Sequence, residues 1–437
     1  MISIGLFGKK ISCRCGKIHH IRPEKVVYSE DSVDQLPVLS EEFHLGPRLA
    51  VLMDVRTSKV AGDRIVEVLE RAGLSASRVV VQDRPDGAWP ICDDITQRNI
   101  DGRMGQVDWI LTVGSGVIND LGKWLAVDRD VPFLSFATAA SMNGYASANV
   151  APTIEGMKSL TFARPPLAVL SCPSILCHAP YQLTTAGLGD VLAKSISTTD
   201  WYMNHLLFGD HYCERSAGLI GEIEPLYLYC SGDLRKGKPE AMEALFHALL
   251  LTGVSINMAE TSSPASGAEH LISHSLDMMG SIEGKDVDLH GRQVGLGTVL
   301  MAALYERVLE VESPRFTEPK EMVAASFWGP LGEVVKENYS QKVHRLQTAK
   351  EKLSMGGDWD RLRNALAPML HPPETLHTCL HHAGAATKAQ DIGCSRARLL
   401  DALLHAHEIR PRFTVLDLAH LMGIMPSVAE NLVDGWS

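Results

Sequence analysis

Apolar runs bounded by turn residues alternate with helical periodicity through the first half of the chain. RLAVLM at 48–53 predicts a buried strand, 57–72 repeats its apolar residues at helical spacing, and Gly73 then stops the helix. Further strands are predicted at 78–82, 109–113 and 132–136, with a helix from about 117 to 127. Strand and helix in alternation argue for a parallel sheet covered on both faces. Beyond about residue 180 the pattern becomes helical, at 185–206, 239–258, 268–279 and 293–309, with several shorter stretches up to Ser437. The expectation is an α/β chain: a Rossmann-like parallel-sheet domain over 1–180, then an all-helical domain over 181–437. No repeat recurs at a period of 20 to 50 residues, and no segment is of low complexity.

Composition narrows this picture. With 45% apolar and 21% charged residues in 437, the chain can bury cores and is neither disordered nor fibrous. A formal charge of −11 repels phosphate backbones and anionic lipid, so nucleic acid is not an expected partner. The uncharged stretch 131–154 has the length of a membrane span, but its Pro132, Asn143, Gly144 and Asn149 exclude a lipid-facing helix. The first residues lack the pattern of an export signal, which together with the absence of a span predicts a cytoplasmic protein. Nine cysteines without paired spacing suggest reduced thiols. Cys13, Cys15, His19 and His20 lie close enough for a zinc site, but no second ligand pair stands nearby; a short hairpin turning near Gly16 is the preferred reading.

Three segments could carry chemistry. TVGSGVINDLGK at 112–123 puts glycines between a strand and a helix, where backbone N–H groups can hold a pyrophosphate. The full G-x-G-x-x-G fingerprint is missing, so a tight strand-to-helix turn explains the segment equally well. Asp54, ending the first strong strand, could bind an adenosine ribose and favour NAD over NADP, or simply cap a helix. His270 and His274 share a helix face, His290 opens another helix, and Asp190 adds a carboxylate; two histidines and one carboxylate would leave a metal position open for substrate. Eighteen histidines make a chance pair at this spacing expected, and His377 with His381 is a second one, so polar core histidines remain the alternative.

Taken together, these segments resemble the glycerol-1-phosphate dehydrogenases, in particular the bacterial branch, within the group of iron-containing alcohol dehydrogenases, glycerol dehydrogenases and dehydroquinate synthases. The motifs that carry the resemblance are CRCGKIHH at 13–20, GSGVIND at 114–120, SFATAASMNGYAS at 135–147, Asp190 with Asp200 and Trp201, SGAEHLISH at 266–274 and HGRQVG at 290–295. The resemblance implies a dehydroquinate synthase-like fold and a homodimer. It also implies that Gly114, Ser115, Gly116, Val117, Ile118, Asn119, Asp120, Thr138, Ser141 and Ser147 hold NAD(H) or NADP(H). Asp190, His270 and His290 would ligate one divalent Zn, Ni or Fe, and His274, Asn143, Ser147 and Asp190 would face the substrate. The sequence departs from the family at Asn143: the usual S-x-D-G reads SMNG here, and an amide cannot carry charge.

The implied reaction interconverts dihydroxyacetone phosphate and sn-glycerol 1-phosphate, or a similar small phosphorylated ketone and alcohol. Asp190 would act through the metal, His274 would relay the hydroxyl proton, and Lys158 would meet the phosphate unless it is a solvated surface residue. The alternatives are a cyclase similar to dehydroquinate synthase with tightly held NAD, and an altered relative in which Asn143 has changed the substrate.

Overall fold

A computed structural model describes residues 4–436 except 156, 160 and 324, with only the backbone at 157 and 158. The chain divides into two units. The first comprises Met1–Gly187, Leu219–Tyr227 and Asp233–Met258; the second comprises Leu188–Gly218, Leu228–Gly232 and Ala259–Ser437.

The first unit is built on a parallel sheet of six strands. The strands of the unit, in chain order, are β1 (Lys10–Ser12), β2 (Ile18–His20), β3 (Lys25–Tyr28), β4 (Arg48–Asp54), β5 (Ser75–Val81), β6 (Trp109–Gly114), β7 (Phe133–Ala137), β8 (Asn149–Val150), β9 (Thr153–Ile154), β10 (Met157–Lys158), β11 (Thr161–Phe162) and β12 (Ala168–Ser171). The large sheet has the order β3-β12-β7-β6-β4-β5, every neighbouring pair parallel. Its strands are buried on both sides: Leu49, Val51 and Met53 of β4 join Leu36, Ile65, Val66 and Leu69 on one face, while Ala50 and Leu52 join Ile100, Ile118, Leu121 and Leu125 on the other. That two-sided burial explains why the central strands read as continuous apolar runs rather than alternating ones.

The expected strands at 48–53, 109–113 and 132–136 are present, and β5 begins at Ser75 rather than at 78. Two strands that periodicity did not predict, β3 and β12, complete one side of the sheet; each is only four residues long. Pro239–Ala259 is long and apolar enough to cross a membrane, yet 89% of its apolar window is buried. It packs within the first unit, where Tyr28 and Tyr145 both pair with Phe246.

The second unit is helical. Its longer elements are Lys194–Phe208, Ala268–Glu283 and His290–Glu310, followed by shorter helices as far as Met425–Trp436. The single helix expected at 185–206 is two, Tyr181–Leu192 and Lys194–Phe208.

Candidate active site

In the first unit, the sheet order changes direction between β4 and β6. The chain leaves β4 for β5 on one side through Asp63–Arg71, and leaves β6 for β7 on the other through Gly116–Asp128, with the two helices on opposite faces. Such a switch point opens a crevice at the carboxyl ends of the strands, where doubly wound sheets bind ligands. Asp54 and Gly114 end the two neighbouring strands there.

The turn after β6 is shaped for close approach. A Cβ on Gly114 would lie 2.6 Å from Ile118 Cβ, whereas one on Gly116 would meet nothing within 4 Å among the described residues. Gly116 therefore faces open space at the start of a helix whose N-cap, Ser115, makes no side-chain cap. The N–H groups of Gly116, Val117 and Ile118 have no intrahelical partner at such a position, and the helix dipole adds positive potential. Thr138 donates its N–H to Gly114 O at 3.1 Å, so the start of the 138–147 loop is tied to this turn.

Several residues expected to touch the coenzyme are occupied internally. Asn119 is fully buried; its Oδ1 accepts from Ser135 Oγ at 2.9 Å and its amide donates to Asp120 Oδ1 at 3.3 Å. Asp54 is a helix cap, accepting N–H groups of Arg56 and Thr57 at 2.8 Å each, with Arg56 Nη2 at 3.4 Å from its other oxygen. Ser147 is buried, with its hydroxyl donating to Gly144 O at 3.1 Å. Ser141 and Thr138 are also mostly buried, and Asn143 is half-exposed at the start of a short 3-10 turn, Asn143–Tyr145. The side chain of Lys158 lies outside the described residues; its backbone pairs with Thr153.

Sequence reasoning missed Lys123. Its buried ammonium donates to Gly144 O at 2.6 Å, Asn149 O at 3.0 Å and Ser147 Oγ at 3.3 Å, and so pins the 144–149 loop to the helix after the glycine turn. Burial lowers its pKa to about 8 despite the nearby Asp120 charge. Asn257 clamps the same loop from Pro239–Ala259, accepting from Ala148 N and donating to Ala146 O, both at 2.6 Å. The only sequence signal for Lys123 was a lysine on the apolar face of a helix.

In the second unit, Asp190, His270 and His290 converge, with one donor atom from each lying within 4.8 Å of the others. Asp190 Oδ1 is 3.4 Å from His270 Nε2, and the His270 and His290 rings are 5.1 Å apart. Glycines allow this approach. A Cβ on Gly189 would lie 1.9 Å from Gly291 O, and one on Gly297 would lie 2.8 Å from Glu269 O. The helices carrying the three ligands are thus in backbone contact, closer than larger residues permit.

Surrounding residues select the ring nitrogens. His270 Nδ1 lies 2.8 Å from Glu269 Oε1, an acceptor only, so Nδ1 carries the proton and Nε2 faces Asp190. Ser273 Oγ donates to Gln293 Oε1 at 2.7 Å and therefore accepts from His290 Nδ1 at 2.8 Å. Both imidazoles are left with Nε2 as the ligand atom, the arrangement by which outer partners orient metal-binding histidines. Burial alone would lower the His270 pKa; hydrogen bonds and charge from Asp190 and Glu269 outweigh it and raise the value to about 9. The cluster thus attracts positive charge, and a divalent cation would displace the His270 proton.

Buried Asp200 holds the ligand helix in place. Its Oδ2 accepts from Ala268 N at 2.8 Å, and its Oδ1 accepts from Val415 N at 2.9 Å and Tyr305 Oη at 2.5 Å. Burial, then repulsion from Glu269, raises its pKa to about 7. Arg412 adds a hydrogen bond to Ser266 O and another to Ser262 Oγ at 2.9 Å. The C-terminal segment, which offered no chemical motif, therefore supports the loop that leads into the ligand helix.

His274 lies one turn beyond His270, half-exposed, with its ring stacked 5.3 Å from that of His290. It also forms a second possible donor group with Asp277 and His290. That group is less buried than the first, and sequence reading did not notice Asp277.

A family profile described as iron-containing alcohol dehydrogenase matches residues 27–180. A glycerol-1-phosphate dehydrogenase, NAD(P)+-dependent by name, from Bacillus licheniformis is 27% identical, over 95% of this chain and 94% of its own. One of the same name from Thermococcus sibiricus is 33% identical, over 65% of this chain and 78% of its own. A crystal structure of a probable glycerol dehydrogenase from Sinorhizobium meliloti has the same fold, with a TM-score of 0.61 and 16% identity, over 94% of this chain and 97% of that one.

Proposed function

The chain belongs to the glycerol-1-phosphate dehydrogenase family, and from that premise we propose that it is a metal-dependent, NAD(P)H-linked oxidoreductase interconverting dihydroxyacetone phosphate and sn-glycerol 1-phosphate. The observation that carries this reading is the Asp190, His270 and His290 cluster, in which Nδ1 of each histidine is held by a neighbour and Nε2 is the ligand atom. The donor set suits a borderline divalent ion such as Zn, Ni or Fe, with a position left for substrate oxygen.

When bound, the cation supplies Lewis-acid polarisation of the carbonyl oxygen and the nicotinamide supplies hydride to the carbonyl carbon. The backbone N–H groups at Gly116, Val117 and Ile118 hold the coenzyme pyrophosphate, with Gly114 allowing the tight turn. Glu269 and Ser273 keep the two imidazoles oriented, and Asp200 keeps the start of the His270 helix in place. His274, half-exposed beside His290, passes the hydroxyl proton between substrate and solvent. Asn143 hydrogen-bonds the substrate where the family's usual Asp would add charge, and Lys158 meets the phosphate. The protein works as a cytoplasmic homodimer.

The test is turnover. Protein loaded with Zn, Ni or Fe should oxidise NADH or NADPH when given dihydroxyacetone phosphate and release the sn-1 phosphate enantiomer. Failure with all three metals would refute the assignment, and tightly held NAD without net oxidation would favour the cyclase instead.

A further inference from the structure

Far along the sequence from Asp190, the N-terminal hairpin gathers a second set of metal-type donors. Strands β1 and β2 pair antiparallel with Ile11 opposite His19. The connection is closed by Cys13 N donating to Lys17 O at 3.0 Å and Gly16 N donating to Cys13 O at 3.1 Å, with Gly16 at φ 88°, where a side chain would be strained. This turn folds both thiols towards His19. The donor atoms of Cys13, Cys15 and His19 all lie within 4.8 Å of one another, and Cys15 Sγ is 3.2 Å from His19 Nε2.

We propose that Cys13, Cys15 and His19 ligate a structural zinc ion that clips the hairpin shut. Zn–S and Zn–N bonds of about 2.3 and 2.0 Å place neighbouring ligand atoms roughly 3.5 to 3.8 Å apart in a tetrahedron, the scale on which these donors cluster. Neither cysteine is in a disulfide, so no such bond accounts for their gathering. His19 is buried although the hairpin carrying it has only three residues per strand and exposes Ile18. A ribbon that short is marginal on its own, and a metal crosslink is a usual remedy for a small element without a core. Binding releases the two thiol protons, and the two thiolates neutralise the ion.

Cobalt separates this site from the Asp190 cluster, because only thiolate ligands give intense near-ultraviolet charge-transfer absorption. Full-length protein, stripped of metal under reducing conditions and titrated with Co²⁺ alone, should develop that band. The double variant Cys13→Ser/Cys15→Ser should lose the band and about one equivalent of bound cobalt, while His290→Ala should keep the band. A cobalt-saturated wild type without the band, or a band that survives in the double variant, overturns the proposal. Should the double variant not fold, alkylation of the wild type decides: Zn²⁺ should protect Cys13 and Cys15 from iodoacetamide, and equal modification with and without Zn²⁺ overturns the site. None of these readouts depends on dehydrogenase activity.

Discussion

Glu269 Oε1 accepts the Nδ1 proton of His270 at 2.8 Å and the N–H of Gly267 at 2.7 Å, so one carboxylate oxygen both sets a ligand's tautomer and closes the start of its helix. The two roles separate on substitution. Glu269→Gln keeps an acceptor but loses the charge that makes His270 more basic, and metal affinity should fall roughly tenfold or more. Chelator competition measures the loss; unchanged affinity would show that Glu269 serves only the helix start.

Gly189 is the tightest point of the metal cluster, its missing Cβ 1.9 Å from Gly291 O. Gly189→Ala should separate the Asp190 helix from the His290 helix, costing on the order of 2 kcal/mol or more. Urea unfolding and metal content together check this: a lower midpoint with reduced metal occupancy is expected. Gly116→Ala is the control in the first unit, where a Cβ meets open space and stability should hardly change.

Lys123 predicts a pH effect of known sign. Its folded pKa, about 8, lies below the ordinary 10.5, so the folded state binds fewer protons than the unfolded state between those values. Stability contributed by this group therefore rises as pH increases from about 8 to 10.5 and is lowest below that window. Lys123→Met removes the contribution, so the difference in unfolding free energy between wild type and variant should change across alkaline pH. A constant difference would contradict the buried ammonium.

Much of this organisation was legible in the sequence because the physics behind it is local. The central strands β4, β6 and β7 are buried on both faces and so leave uninterrupted apolar runs, and the helix after β6 follows its glycine turn directly. The residues alone offered Asp190 with two of His270, His274 and His290, and the resemblance picked out Asp190, His270 and His290, because their meeting depends on helix contacts at Gly189, Gly291 and Gly297 that no spacing encodes. Strands β3 and β12 were missed because four residues give periodicity too little length, and their pairing is with each other across more than a hundred residues. The roles of Lys123 and Asp200 were invisible for a similar reason: both are buried polar groups whose partners, Gly144 O and Val415 N among them, are distant in sequence. Asp54 illustrates the reverse, a residue with two readings from sequence whose capping role is local and is present in the structure.

Asn143 makes a prediction about chemistry rather than stability. With an amide at this position, the kcat/KM profile should lack the acid limb that an adjacent carboxylate would impose. Asn143→Asp should introduce such a limb near the usual carboxylate range and change KM for the phosphorylated ketone. If the two profiles coincide, residue 143 does not face the substrate.

The central claim is that Asp190, His270 and His290 hold the working metal. Diffraction data from metal-soaked crystals, collected on either side of the absorption edge, test it most directly. The account predicts an anomalous peak about 2.0 to 2.2 Å from Asp190 Oδ, His270 Nε2 and His290 Nε2. A peak held instead by His274, Asp277 and His290, with Asp190 and His270 left to each other, would contradict it.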